Sequence, residues 1–285
     1  MFLELPRGRR LDLSAPVVMG ILNATPDSFS DGGRHLELDM ALAAAHRMLD
    51  EGAVIIDIGG ESTRPGSDPV SAGEECDRVL PLIERLCAER HDCVVSIDTM
   101  KPAVMQAACR AGAAIINDVY ALQAPGAIEV AVSEQAAICL MHMQGEPKTM
   151  QQAPAYQAVV NEVMSFLARR VAACRVNGIP ATRLLIDPGF GFGKTLEHNL
   201  ELLVQLGRFQ SLRLPILVGM SRKGMLGQIT GQPVSGRMAA GLSAAAIAVW
   251  NGARIIRTHD VAATVDAVKV ANVARHAAQA SLASS

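Results

Sequence analysis

The stretch CVVSIDTMKPAVMQAACRAGAAIINDV, residues 93–119, decides how this chain is read. It opens on a near-continuous apolar run that ends at Asp98 and continues into PAVMQAACRAG, whose apolar side chains recur at helical spacing before a glycine stop. A second apolar run, AAII, then ends at Asn117 and Asp118. Strand, helix and strand in so short a span form the unit of a parallel sheet, because parallel strands need a long crossover and a helix usually supplies it. Apolar character on both faces of each run predicts a sheet buried on both sides.

The same unit recurs along the chain. Runs resembling CVVSIDT and AIINDVY are VVMGIL at 17, VIIDIGG at 54, AICLMHM at 137, RLLIDPG at 183, PILVGMS at 215 and RIIRTHD at 254. Helical periods lie between them, among them LELDMALAAAHRMLDEG, AGEECDRVLPLIERLCAER, YQAVVNEVMSFLARRVAACRVNG, LEHNLELLVQLGRF and RMAAGLSAAAIAVWNG, with a last one after His259-Asp260. Several stop at glycine: Gly52, Gly112, Gly178 and Gly252. Eight such units without a linker predict an α/β fold of the (β/α)8 TIM-barrel type, with residues 1–285 as one domain. An open doubly wound sheet is the alternative. The segment FLELPRGRRLDLS lies outside the repeat and reads as a short strand pair plugging the barrel.

Composition narrows the function. Half of the 285 residues are apolar and only 3 % aromatic, so the core is built from aliphatic side chains. A net charge of −2 argues against a nucleic-acid footprint. No apolar run reaches the roughly 18 residues of a membrane span, and the charged N-terminal stretch lacks a secretory h-region. The six cysteines are scattered without zinc or disulfide spacing, which reads as free thiols in a reducing compartment, the cytoplasm.

In a barrel, reactive groups gather where the strands end. The tips carry Asn23, Asp57, Asp98, Asn117, Asp187, Ser221, Arg257 and His259. A single Asp or Asn there is most simply a helix cap, but a ring of polar tips implies a shared pocket. Three carboxylates and an amide suit the donor-rich edge of a nitrogen heterocycle, and Arg64, Arg257, His259 and Lys223 suit an anion such as pyrophosphate. PGFGFGKT carries only part of a phosphate-loop pattern, with Pro188 where a glycine is needed, and it fails the dinucleotide pattern too. GGESTRPGS, residues 59–67, reads as an active-site loop.

Taken together, GILNATPDSFSDGG, IIDIGGESTRPGS, SIDT, IIND, CLMHMQGEPKTMQ, LLIDPGFGFGKT, LVGMSRKGMLG and IIRTHDV make the chain closely resemble the bacterial dihydropteroate synthase family across residues 19–261. The resemblance implies a (β/α)8 barrel that joins p-aminobenzoate to 6-hydroxymethyl-7,8-dihydropterin pyrophosphate and releases pyrophosphate, with Mg2+ assisting. It implies pterin contacts from Asp98, Asn117, Asp187, Lys223, Met141 and Phe192, with Lys223, Arg257, His259, Asp98 and Asp187 carrying the catalysis. Asn23, Thr63, Arg64, Arg257 and His259 would hold the pyrophosphate, and Phe29, Pro65 and Ser221 the p-aminobenzoate. Asn23 would bind the metal, with Asp31 as a second candidate. A homodimer is implied as well. Residues 25–33 read as a lid hinged at Gly32 and Gly33, with Phe29 closing over the site.

Other residues receive blander readings. His142 is opposite in phase to Met141 and reads as a packed structural histidine. Lys194 reads as a pocket-rim or helix-start lysine, Tyr120 receives no role, and the resemblance assigns Asp57 no particular contact beyond its place in the ring of tips. Two rivals stand beside the synthase: a pterin barrel that transfers a methyl group, which has no need of the Arg64–Arg257–His259 cluster, and a binding barrel without turnover.

Overall fold

A computed structural model describes residues 1–24, 33–61, 69–146 and 148–283. An antiparallel pair, β1 (Phe2–Glu4) and β2 (Arg10–Asp12), precedes the repeat and pairs Phe2 with Asp12. The eight apolar runs then become eight parallel strands: β3 (Val17–Asn23), β4 (Ile55–Gly59), β5 (Val94–Asp98), β6 (Ile115–Asp118), β7 (Ala137–Met141), β8 (Leu184–Asp187), β9 (Leu217–Gly219) and β10 (Ile255–Thr258). Their order is β8-β7-β6-β5-β4-β3-β10-β9. A lone parallel bridge between Ile186 and Ile216 joins the two ends, with Ile186 N–H donating to Pro215 O at 3.0 Å. Pro215 has no N–H to return, so this seam is the thinnest in the barrel.

Helices cover the outside: α1 (Gly33–Asp50), α2 (Ala72–Glu89), α3 (Pro102–Ala111), α4 (Ala127–Ser133), α5 (Val159–Val176), α6 (Leu196–Val204), α7 (Gly224–Thr230), α8 (Met238–Trp250) and α9 (Val261–Ala283). The four glycine stops all take positive φ, from +88° to +125°, as helix C-termini favour. Helix α6 stops well short of what its periodicity predicts. LEHNLELLVQLGRF ends as α-helix at Val204, because Asn251 Nδ2 takes the Leu203 carbonyl at 2.8 Å and a 3-10 turn through Gly207 follows. Helix α7 has no counterpart among the helical periods.

The two-residue side-chain period of a strand sorts the core into two layers. Outward residues such as Ile56, Ile97, Ile116, Ile138 and Ile186 pack under the helices. Inward residues near the strand starts, Met19, Ile55, Val94, Ile115, Leu185, Leu217 and Ile255, pack against Leu3, Leu5, Leu11 and Leu13 of the N-terminal pair. That pair plugs the N-terminal end of the barrel, as the sequence predicts. Two to four residues further on, the inward positions turn polar, and the site begins there.

Candidate active site

At the C-terminal end of the barrel, pairing sets the inward side chains at shared heights. Asp57 stands beside Ser96, Asp98 beside Asn117, and Met141 beside Asp187. Asp57 and Ser96 are wholly buried and Asn117 nearly so. Burying a carboxylate is costly unless it is paired, and here Arg257 supplies the pairing. Its Nε lies 2.5 Å from Asp57 Oδ2, and one Nη lies 2.7 Å from Asp98 Oδ2. Burial disfavours the guanidinium charge, yet the two carboxylates hold its pKa above the ordinary value.

Asn117 Nδ2 donates to the same Asp57 oxygen at 3.0 Å. Once Arg257 and Asn117 are served, buried acceptors remain: Asp57 Oδ1, Asp98 Oδ1 and Asn117 Oδ1 have no hydrogen-bond partner among the described residues. Natural interiors rarely leave such atoms unpaired, and a cluster of them marks a surface built to accept hydrogen bonds. Burial pushes the Asp98 carboxyl up to about 7; Arg257 opposes the shift and Asp57 adds to it.

Asp187 closes the ring from β8. Its Oδ1 accepts the Gly189 N–H at 2.7 Å, and burial raises its pKa against the pull of Lys223. Lys223 occupies the position just before α7, donates to Phe190 O and places Nζ 4.2 Å over the Phe192 ring. Burial lowers its pKa to about 8, although Asp187 favours the charge. Met141 is buried at the end of β7, and Phe192 is half-buried in the loop after β8.

The loops after β9 and β10 are tied together. Ser221 Oγ accepts the His259 N–H at 3.2 Å and lies 3.0 Å from His259 Nδ1, and Arg222 pairs with Asp260 at 2.6 Å. Arg222 has φ +59°, a left-handed conformation held by that pairing. Asn23 ends β3 beside Gly59 and leaves its amide half-buried at the rim. Phe29, Asp31, Thr63, Arg64 and Pro65 lie outside the described residues, as does most of the expected lid.

Three features went unread in the sequence. Asp57 is the hub on which Arg257 and Asn117 converge. Lys101 Nζ bridges Glu61 Oε2 at 2.8 Å and buried Glu75 Oε2 at 2.5 Å, while Glu61 Oε1 accepts the Val70 N–H at 3.1 Å. Both described ends of the 61–70 segment are thereby held. The third is a correction: Lys194 is no rim lysine. It is 3 % exposed and bonded to His142, and Thr195, not Lys194, caps α6. His142 is buried, as the sequence reading has it. Tyr120 is exposed, and its backbone N–H is held by Asp118 at 2.7 Å.

A parallel barrel with carboxylate and amide acceptors at its C-terminal mouth, cations beside them and the Phe192 ring against Lys223 is the architecture of a pterin-binding enzyme. The family model described as pterin binding enzyme matches residues 19–259, and the chain belongs to that family. Its relatives include the dihydropteroate synthase of Escherichia coli (strain K12), 52 % identical over 264 residues, which cover 93 % of each chain. Among solved structures, a Yersinia pestis dihydropteroate synthase with a sulfonamide drug complex superposes with a TM-score of 0.91 at 50 % identity, covering 97 % of this chain and 100 % of that one. A Xanthomonas albilineans dihydropteroate synthase with 4-aminobenzoic acid gives 0.87 at 49 % identity over 92 % and 94 % of the chains.

Proposed function

We infer that this protein catalyses the dihydropteroate synthase reaction, a transferase step of folate biosynthesis. The amine nitrogen of p-aminobenzoate bonds to the pterin methylene carbon, the carbon–oxygen bond to pyrophosphate breaks with its electron pair on oxygen, and the amine releases a proton. One observation supports this reading above the others: the cluster of unpartnered buried acceptors on Asp57, Asp98 and Asn117, with the Asp187 carboxylate beside them. A guanidine-like pterin edge supplies the matching donors.

The roles divide along the mouth. Asp98, Asn117 and Asp187 hold the ring, Lys223 contacts it, and Met141 and Phe192 pack on its faces. As the methylene–oxygen bond lengthens, positive charge spreads into the ring, and the nearby carboxylates stabilise it. Arg257 and His259, with Thr63 and Arg64, hold the leaving pyrophosphate. Ser221, Phe29 and Pro65 form the p-aminobenzoate side. The amine attacks directly, so the reading needs no covalent enzyme intermediate.

Asn23 fits Mg2+: it offers one hard amide oxygen at the rim, and magnesium is commonly held by one or two protein oxygens plus substrate phosphates and water. Among the described residues no group of three His, Cys, Asp or Glu could hold a metal. Bound there, Mg2+ would supply neutralisation of the leaving-group charge.

We read residues 1–285 as one pterin-binding domain, because the N-terminal pair completes the barrel's own core. A second copy of the chain is the proposed partner: α8 and α9 expose Ile247, Trp250, Val270 and Val273. No helix among the described residues is long and apolar enough to cross a membrane, and six free thiols fit the cytoplasm. The deciding assay follows pyrophosphate release with Mg2+ and pterin pyrophosphate present. Release that depends on p-aminobenzoate supports the synthase; pterin binding without release favours the binding barrel.

A further inference from the structure

The loop PGFGFGKT has no helix or strand to satisfy its backbone, so each buried carbonyl needs a donor from elsewhere. Side chains supply most of them, beside one turn bond from the Phe192 N–H to Gly189 O at 3.2 Å. Gly189 O and Phe192 O accept from Lys194 Nζ at 2.8 and 3.0 Å. Phe190 O accepts from Lys223, Gly191 O from Gln151, and Gly193 O from the Tyr156 hydroxyl at 2.9 Å. Two lysines thus divide the loop, one facing the substrate mouth and one inside.

The inner lysine is held tightly. Its Nζ also meets His142 Nδ1 at 3.0 Å and the His142 carbonyl at 3.5 Å, so four acceptors surround one amino group, whose pKa burial lowers to about 7. The loop can wrap this way because Gly189, Gly191 and Gly193 all take positive φ, between +64° and +76°. A Cβ at Gly189 would strike the His142 carbonyl, and one at Gly193 the Gln144 carbonyl. This is the opposite polarity to a phosphate loop: the carbonyls converge on the protein's own lysine donor.

The same loop sets two groups at the mouth. Gly189 N–H fixes one oxygen of Asp187, and Phe190 O with the Phe192 ring holds Lys223. We propose that Lys194 is a positioning residue for the reaction: its amino group, braced by His142, is the internal post around which the 188–194 loop is wound so that Asp187 and Lys223 face the pterin correctly. The inference rests on the synthase reading only in taking the ligand at Asp187 and Lys223 to be the pterin.

Removing the post should misplace the pterin contacts and leave the p-aminobenzoate side intact. Steady-state kinetics of wild type, Lys194→Met and His142→Leu, with each substrate varied in turn, test this. Lys194→Met is expected to raise KM for pterin pyrophosphate by about tenfold or more, as small misplacements of binding groups do. KM for p-aminobenzoate should stay within about twofold, under roughly 0.4 kcal/mol, and His142→Leu should show the same split more weakly. A fall in kcat with both KM values unchanged, or equal rises in both, overturns the positioning role. If Lys194→Met does not fold, the split in His142→Leu decides the matter by the same criterion. Wild type without p-aminobenzoate-dependent turnover would instead overturn the synthase reading and this inference with it, while an active wild type whose variants lack the split overturns the positioning alone.

Discussion

Asn117 Nδ2 donates to Asp57 Oδ2 at 3.0 Å, and this single bond decides which end of the amide faces the mouth. Asp57, bonded to Arg257, is a carboxylate that can only accept, so the amide nitrogen must turn toward it and Oδ1 toward the ligand. Asp57→Leu should release Asn117 and leave Arg257 with one carboxylate. Pterin affinity, measured by calorimetry, is expected to fall more than about tenfold, or roughly 1.4 kcal/mol. An unchanged affinity would show that the orientation of Asn117 is set elsewhere.

Asp187→Asn offers a sharper local test. The Gly189 N–H still finds an amide oxygen, but the second acceptor becomes a donor aimed at donors. Pterin binding should be lost in the titration. Binding within about threefold of wild type, under roughly 0.7 kcal/mol, would remove Asp187 from the pterin site.

The raised Asp98 pKa has a direction in both activity and stability. Its carboxyl, shifted to about 7 by burial, must ionise to accept from the pterin, so kcat/KM for pterin pyrophosphate should climb as pH rises through that value. For stability the sign is reversed. Between the ordinary carboxylate range and about 7, the folded chain keeps a proton that the unfolded chain has released, so this group makes stability fall as pH rises through that window. Asp98→Asn should flatten that slope in urea melts taken across the same window, and a slope unchanged by the substitution would assign it to another group.

Sulfonamides mimic p-aminobenzoate, and a relative from Yersinia pestis has been solved with a sulfonamide drug complex. On the proposed division of the mouth, inhibition should be competitive against p-aminobenzoate and not against pterin pyrophosphate. Competition against both substrates would merge the two subsites.

Far from the chemistry, Leu3 is wholly buried in the plug. Leu3→Ala should lower unfolding free energy by about 2–5 kcal/mol through lost burial and a cavity. Because Leu3 packs only at the strand starts, both KM values should stay at wild-type levels in the same preparation.

Much of this arrangement was legible from residue pattern. Apolar runs carrying Asp57, Asp98, Asn117 and Asp187 at their ends revealed the barrel and the inward polar positions at its C-terminal mouth, because strand period leaves its mark at fixed spacing. Pairings between distant segments left no such mark. Arg257 meets Asp57 across 200 positions, and Lys194 meets His142 across 52. Nothing local distinguishes a lysine that winds a loop from one at a rim; the alternating glycines beside it were the available clue. The α6 break was hidden for the same reason, since Asn251 that ends it lies 48 residues away.

The N-terminal plug carries a consequence for how the chain reaches this structure. Leu3, Leu5, Leu11 and Leu13 lie ahead of the barrel in the chain, yet the side chains that bury them extend to Ile255 on β10. The hairpin therefore cannot complete its packing until the last strand has joined the sheet. Contacts spanning so much of the chain slow folding, because the loop must close before the contact stabilises it. Residues that leave the ribosome ahead of the barrel are thus among the last to be sheltered, and until then four leucines remain exposed to any hydrophobic surface they meet.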